Sequence, residues 1–237
     1  MILSPKFRIN MIIKVCGMRD SNNIRQVVDL GVDWIGFIFY PKSSRYVSMK
    51  SSSSGLLPDI AINYDCNKLS THKCTVKKVG VFVDDTAQNI ITRVVNYDLD
   101  IIQLHGSETP TLIRNLRSTL DPDIHPDIQF IKAISVKAPE DIDKYKMYEK
   151  DVDYFLFDTK CETIGGSGKH FDWEILKLYD GEKPFLLSGG IKLEDVEKIK
   201  LFNHPKCIGI DLNSNFEISP ALKDIQSLSK FITEIKK

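Results

Sequence analysis

The stretch that decides the fold runs from Asp153 to Trp173 and reads DYFLFDTKCETIGGSGKHFDW. It begins with Tyr154-Phe-Leu-Phe157, an aromatic-rich apolar run with the length and composition of a β-strand. The run ends on a carboxylate, Asp158. A loop containing Gly165, Gly166 and Gly168 follows, and then a helical pattern begins. A buried strand that ends on an acid before a loop and a helix is where α/β proteins place their chemistry.

Seven other short apolar runs resemble this one, and almost every run is followed by a helical pattern. Their apolar residues are continuous rather than alternating, which indicates strands buried on both faces of a parallel sheet. Eight such units in a chain of this length predict a single (β/α)8 TIM barrel, an α/β fold with eight parallel strands. An open doubly wound sheet is the alternative, but no GxGxxG follows the first strand. The seven runs are 11–15, 34–39, 78–83, 100–105, 129–134, 184–188 and 207–211.

Several local signals place the helices. Asp20 or Ser21 can cap a first helix that ends at Gly31, and Thr86 can cap the next. Pro110 suits the first turn of another helix. Further helices are predicted over about 139–148, 193–200 and 222–235.

Composition limits the classes of partner. The 237 residues have a formal net charge of zero and a pI near 6.9, which gives no electrostatic basis for binding nucleic acid or an anionic membrane. Five irregularly spaced cysteines predict a reduced, cytoplasmic protein. No apolar run approaches the ~20 residues of a membrane span. We expect an N-terminal extension over residues 1–10, without a signal-peptide core and with Met11 as an alternative start. The barrel then occupies 11–237, with an irregular serine-rich excursion at about 48–77.

Three strand-end residues are candidates for proton transfer. Cys16 needs only a modest pKa shift to become a thiolate, although a buried structural cysteine is the plainer interpretation. Asp158 could donate a proton if its apolar surroundings kept it protonated, or it could simply cap the next segment. His105 is more often a hydrogen-bonded core residue than a catalyst. No cofactor is expected, and the metal-ligand residue types Cys66, His72 and Cys74 lack a fourth ligand at useful spacing.

Two further features indicate an anionic substrate. Gly189 and Gly190 follow the seventh strand, while Ser214 and Asn215 follow the eighth, and loops at these two places often bind phosphate in barrels. The alternative is a pair of ordinary tight turns. Arg45, on the loop after the second strand, could hold a carboxylate through two hydrogen bonds or could be an exposed surface residue.

These motifs together resemble the phosphoribosylanthranilate isomerase family of tryptophan biosynthesis. The resemblance extends from about residue 11 to the C-terminus, in matching order. It rests on Lys14-Val-Cys-Gly-Met-Arg-Asp20, Gly36–Tyr46, Val79–Val83, Gln103-Leu-His-Gly106, Asp158-Thr159, Gly165–Lys169, Phe171-Asp-Trp173 and Ser188-Gly-Gly190.

The resemblance implies a (β/α)8 barrel that performs an Amadori rearrangement of N-(5-phosphoribosyl)anthranilate without cofactor or metal. It implies that Cys16 is the general base, Asp158 the general acid and Arg45 the ligand of the anthranilate carboxylate. His105 and Asp211 are expected to bind substrate, and the loops after strands seven and eight to bind its phosphate. The glycine-rich loop that follows Asp158 is flexible enough to act as a lid. The partner is then a small phosphosugar, and the protein is expected to be a monomer or a homodimer.

Two departures from the family pattern lead to specific expectations. Asn215 stands where glycine is usual, so we expect it at positive φ with its backbone N–H facing the phosphate. Residues 49–77 match nothing in the pattern, so we expect them to be dispensable for the site. Two alternative functions are another phosphosugar barrel, such as indoleglycerol-phosphate synthase or an aminoimidazole-ribotide-type isomerase, and a barrel that binds phosphate ligands without catalysis. Cys16 and Asp158 argue against both.

Overall fold

A computed structural model describes residues 11–48, 76–159 and 173–237. The N-terminal extension, most of the excursion and the glycine loop at 165–168 therefore lie outside the described residues, as do Cys66, His72, Cys74 and Cys161. Eight parallel strands form a closed barrel in sequential order, with the last strand pairing with the first. The strands are β1 Ile12–Cys16, β2 Trp34–Ile38, β3 Lys77–Phe82, β4 Ile101–Leu104, β5 Gln129–Ser135, β6 Tyr154–Asp158, β7 Phe185–Ser188 and β8 Cys207–Leu212.

Helices surround this barrel. The α-helices are α1 Ser21–Asp29, α2 Ala87–Tyr97, α3 Pro110–Leu120, α4 Val196–Leu201 and α5 Ile225–Ile235. Between these lie 3₁₀ helices at Pro139–Met147, Trp173–Leu178, Leu193–Asp195 and Ser214–Phe216. A two-stranded antiparallel hairpin, β9 Glu217–Ser219 and β10 Leu222–Lys223, precedes α5. The predicted single (β/α)8 barrel is confirmed.

Strand alternation separates two apolar layers. Successive side chains of a strand point to opposite faces, so each strand packs one set of residues inside the barrel and the other set against the helices. The larger cluster lies between barrel and helices, and it includes Ile13, Phe37 and Phe155. The smaller cluster fills the barrel interior, and its buried members are Trp34, Val79, Ile101, Ile131, Ala133, Leu156 and Leu186.

The predicted helix starts are borne out by the cap hydrogen bonds. The Asp20 side chain accepts from the Asn23 amide at 2.8 Å, so Asp20 rather than Ser21 is the cap of α1. Thr86 caps α2 in the same way, and Thr109 caps α3, with Pro110 as its first residue. Each cap satisfies one of the amide donors that a helix start leaves unpaired.

Three predicted helices differ in the structure. The segment after β5 is a 3₁₀ helix rather than an α-helix, and the segment after β7 begins as a 3₁₀ turn before α4. The last helix begins at Ile225 instead of Leu222. Asp224 accepts hydrogen bonds from the first-turn amides of α5, while Leu222 and Lys223 pair with β9. None of the helices in the described ranges is long and apolar enough to cross a bilayer.

Candidate active site

A cavity opens at the carboxyl ends of the barrel strands. Cys16 ends β1 and Asp158 ends β6, and both side chains line the cavity. These two strands are not neighbours in the barrel, since β7 and β8 lie between them on one side and β2 to β5 on the other. The lining residues are Cys16, Ile38, Val81, Gln103, His105, Asp158, Ser188, Gly189, Gly190, Ile191, Asp211, Asn213 and Ser214.

Most of the sequence-predicted site residues therefore meet at one place. The cavity brings together the candidate acid and base, both substrate-binding candidates at strand ends (His105 and Asp211), and three of the four candidates for phosphate. Arg45 and Asn215 do not line the cavity. Asn215 bonds the lining residue Gly190, and Arg45 bonds Glu217 nearby. The residues of the predicted lid, Gly165, Gly166 and Gly168, lie outside the described residues.

Beneath Cys16 lies a buried ion pair inside the barrel. Lys14 precedes Cys16 by two residues on β1, so both side chains point to the interior. The Lys14 Nζ atom lies 2.8 Å from Asp211 Oδ1, and the lysine side chain is fully buried. Ser188 Oγ lies 3.4 Å from the other carboxylate oxygen of Asp211. The pair forms because β1 and β8 close the barrel with Lys14 and Asp211 in register.

Opposing influences act on the Cys16 thiol. Burial raises its pKa, the positive charge of Lys14 lowers it, the carboxylate of Asp211 raises it and Lys223 lowers it, and the net direction is upward. Burial lowers the pKa of Lys14, but Asp211 and Cys16 raise it, and the net result lies above its usual value. The lysine is therefore protonated at neutral pH despite its burial. The net shift is therefore opposite to the lowering that would make Cys16 a thiolate, because burial outweighs Lys14. A thiol of raised pKa is nevertheless a stronger base once it has ionised.

Room for the Cys16 side chain depends on Gly36, its register partner on β2. A Cβ atom at Gly36 would lie 2.7 Å from Cys16 Sγ, closer than side chains pack. Glycine is required here because of this close approach.

His105 connects the candidate acid to β4. Its Nε2 atom lies 3.5 Å from Asp158 Oδ2, and its Nδ1 atom lies 3.0 Å from Gln103 Nε2. If the Gln103 amide donates to Nδ1, then Nε2 carries the ring proton and faces the Asp158 carboxylate. The Oε1 atom of Gln103 is buried and has no hydrogen-bond partner among the described residues.

The two predicted phosphate loops are joined by a side chain. Gly189 and Gly190 have φ of 106° and 69°, and a Cβ at Gly190 would meet only open space. Asn215 Nδ2 donates to the carbonyl oxygens of Gly190 and Ile191 at 2.6 and 3.2 Å. The expectation of positive φ at Asn215 is wrong, since it lies in the Ser214–Phe216 3₁₀ turn and is absent from the positive-φ residues. The side chain instead holds the two loops together.

Arg45 already holds a carboxylate of the protein itself. Its Nε lies 2.9 and 3.0 Å from the two Glu217 oxygens, and its Nη2 lies 2.5 Å from Oε2. Lys223 Nζ contacts Glu217 Oε1 at 2.7 Å and Asn213 Oδ1 at 2.9 Å, and Asn213 lines the cavity. A Cβ atom at Gly17 would lie 2.6 Å from Arg45 Cδ, so the arginine stem passes beside the residue that follows Cys16.

Three polar residues of this site have no predicted role from sequence: Lys14, Glu217 and Lys223. Lys14 carries the clearest available signal, a charged residue within the apolar strand IIKVC, two positions before the cysteine. Glu217 lies in the segment after β8, but nothing local connects it with Arg45. Within the described residues, no group of His, Cys, Asp and Glu side chains is arranged to hold a metal ion.

Comparison with known proteins gives a consistent result. The sequence model described as N-(5'phosphoribosyl)anthranilate (PRA) isomerase matches residues 59–234. A protein of Parabacteroides distasonis named N-(5'-phosphoribosyl)anthranilate isomerase is 48% identical over 225 residues, with 95% of this chain and 93% of that protein covered.

Solved structures agree with the sequence comparison. A phosphoribosyl anthranilate isomerase in complex with reduced 1-(o-carboxyphenylamino)-1-deoxyribulose 5-phosphate superposes with a TM-score of 0.72 at 28% identity, covering 95% of this chain and 98% of that one. The mutually generated monomers of the dimeric Thermotoga maritima enzyme superpose with the same score at 27% identity and the same coverage. With this fold, this cavity and these relatives, the chain belongs to the N-(5'-phosphoribosyl)anthranilate isomerase family.

Proposed function

We propose that the cavity isomerises N-(5-phosphoribosyl)anthranilate to 1-(2-carboxyphenylamino)-1-deoxyribulose 5-phosphate, with Asp158 as general acid and Cys16 as general base. The observation that carries the proposal is the position of these two residues. They line one cavity from strands that are not neighbours, and the loops at 189–190 and 214 line the same cavity. A sugar phosphate between them would be contacted from both sides and anchored at one end.

The chemistry requires one proton donor and one proton acceptor. Asp158, when protonated, gives a proton to the furanose ring oxygen, and the C1–O bond breaks to leave an open-chain Schiff base. Cys16, once its thiol has released its proton to solvent, then takes the proton from the adjacent sugar carbon, which forms an enolamine. The enolamine tautomerises to the ketone, so the product has the same composition as the substrate. A positioned proton-transfer group of this kind typically contributes ~10²–10⁴ in rate.

Binding at the two ends of the substrate orients it for these steps. Backbone amides of Gly189, Gly190 and Ser214 are the proposed phosphate ligands, since glycine backbones allow close approach of an anion. Asn215 supports them through its bonds to Gly190 and Ile191. Remote contacts with a phosphate hold the reacting atoms in place and so lower the barrier.

The anthranilate carboxylate is the proposed ligand of Arg45. Glu217 occupies the Nε and Nη2 side of the guanidinium, which leaves the Nη1 edge without a partner in the described part of the chain. His105 and Asp211 line the cavity and are the other proposed substrate contacts. Glu217 fixes the orientation of the arginine before the substrate arrives.

The experiment that tests the function is a turnover assay. Freshly generated phosphoribosylanthranilate should lose its fluorescence when the purified protein is added, and the product should be the deoxyribulose phosphate. A protein that binds the reduced product analogue but gives no turnover would instead support the non-catalytic phosphate-binding alternative. The oligomeric state, monomer or homodimer, stays a prediction that light scattering can test in the same preparation.

A further inference from the structure

Lys14 is a buried charge to which the proposed chemistry assigns no role. Its ammonium group has three donors: one bonds Asp211 Oδ1 at 2.8 Å, and a second side-chain hydrogen bond joins it to Cys16. Burying an ammonium ion is unfavourable unless it is paired and hydrogen-bonded. The barrel interior around it is otherwise apolar at the level of Trp34 and Leu186. Lys14 is therefore placed to pair with a second anion as well as with Asp211.

Cys16 is the group placed to be that anion. It lies two residues further along β1, on the same interior face, and Gly36 leaves space for its sulfur atom. Two other cations are close enough to influence it, Lys223 on β10 and Arg45 after β2. Both of these are held by the Glu217 carboxylate. Asp158 and His105 face Cys16 from other walls of the cavity.

We propose that Lys14 is the counter-ion of the Cys16 thiolate, and that Asp211 competes with the cysteine for the same ammonium group. The proposal rests on the assignment of Cys16 as the base. Lys14 does not touch the substrate in this scheme, so it is a positioning residue. The directions of the electrostatic effects agree, because Lys14 lowers the pKa of the Cys16 thiol and Asp211 raises it.

The test measures the ionisation of Cys16 directly. Iodoacetamide alkylates the thiolate, so the rate of Cys16 modification against pH, followed by peptide mass spectrometry, gives the thiol pKa without any need for turnover. In Lys14→Met the alkylation of Cys16 at about pH 8 should be roughly tenfold slower or more, which corresponds to a pKa rise of one unit. The kcat should fall with it, while KM changes little.

A matched control removes a different buried lysine. Lys132 pairs with Glu108 at 2.9 Å and is as buried as Lys14, but it alternates with Ile131 and Ala133 on β5 and so faces away from the interior. Lys132→Met should leave the Cys16 alkylation profile unchanged. A general loss of packing would alter both variants, whereas loss of the counter-ion alters only the first.

The variant Asp211→Asn should shift the pKa of the Cys16 thiol in the opposite direction. Without the competing carboxylate, Cys16 becomes the nearest anion for Lys14, so its pKa should fall and alkylation near neutral pH should be several-fold faster. If Lys14→Met does not fold, the double variant Lys14→Met, Asp211→Asn removes both charges, and its Cys16 should alkylate more slowly than in Asp211→Asn alone.

Shifts in the same direction for the two single variants, or an unchanged Cys16 profile without Lys14, would overturn the proposal. The assignment of Cys16 as base can fail separately. In that case the alkylation shifts appear as expected, but Cys16→Ala keeps its turnover.

Discussion

Arg45 and Glu217 form a two-point ion pair beside the cavity, with Nε 2.9 Å from Oε1 and Nη2 2.5 Å from Oε2. The Glu217 side chain is buried, and Lys223 contacts the same carboxylate. An arginine held in this way has lost most of its freedom before any ligand binds, and a pre-ordered guanidinium loses less entropy when it takes up a second carboxylate.

Replacing Arg45 by lysine should weaken substrate binding more than it slows chemistry. An ammonium ion cannot bridge Glu217 and a second carboxylate with a planar pair of hydrogen bonds. Hydrogen bonds to charged groups contribute about 1.5–3 kcal/mol, so KM should rise by roughly tenfold or more while kcat stays within a few-fold. Steady-state kinetics of Arg45→Lys and of the exposed control Arg25→Lys on α1 measure this. An unchanged KM would mean that Arg45 serves only Glu217.

Glu217 should make stability depend on pH in the acid range. Burial raises the pKa of this carboxyl, but hydrogen bonds from Arg45 and Lys223 outweigh burial, so it lies below the usual 4.5. A depressed folded-state pKa adds stability above the unfolded value, and this stability is lost as pH falls through the folded value. The difference in unfolding free energy between wild type and Glu217→Gln should therefore be largest above about pH 5 and shrink towards lower pH.

Urea unfolding at several pH values measures that difference. The exposed Glu197, 3.3 Å from Lys200, provides the control, because solvent-exposed pairs contribute only ~0–1 kcal/mol. A Glu217→Gln difference that stayed constant down to strongly acidic pH would contradict the expected titration.

Cys16→Ala and Asp158→Asn should each reduce kcat by ~10² or more, the usual effect of losing a positioned proton-transfer group. The fold should remain intact, because both side chains lie at strand ends beside the cavity. Cys207 is the internal control, since it is buried at the start of β8 with its sulfur 3.8 Å from the Gly209 carbonyl. Cys207→Ala should spare kcat relative to the Cys16 change.

Modification of Cys16 offers a second check on the same prediction. A thiol reagent should inactivate the enzyme through Cys16, and the bound reduced product analogue should protect it. Near-full turnover in Cys16→Ala would remove the cysteine from the base role. His105, 3.5 Å from Asp158, would then be the next residue to test.

Asn215→Ala should raise KM several-fold and weaken inhibition by inorganic phosphate. The change removes both bonds that join the turn after β8 to the carbonyls of Gly190 and Ile191. Asn215→Gly should behave similarly, because the residue does not adopt a backbone conformation that glycine would favour. Asn22→Ala on the exposed face of α1 is the control. Unaltered phosphate inhibition in both Asn215 variants would show that the loops hold their positions unaided.

The barrel itself was determined by local features of the sequence. The sequence contains eight apolar runs that suit strands buried on both faces, and helical patterns separate them. Few folds can bury all eight, so the barrel can be predicted without knowing any tertiary contact. Strand ends followed by glycine or polar residues also marked Cys16, Asp158 and Gly189 as members of one face. Helix type was less predictable: the buried residues of the 3₁₀ segment Pro139–Met147, Ile142 and Tyr145, are three apart, and this spacing suits an α-helix as well.

Only the tertiary structure decided which charges meet. Lys14 and Asp211 are 197 positions apart, and Arg45 and Glu217 are 172 apart, so no local pattern connects either pair. Closure of β8 onto β1 brings the first pair together, and the hairpin after β8 brings Glu217 to Arg45. Asn215 could not be assigned from sequence for the same reason. Its position predicted that its backbone would contact phosphate, whereas in the structure its side chain bonds Gly190 and Ile191. Burial and partner geometry set these charges and contacts, and both arise only when distant segments pack.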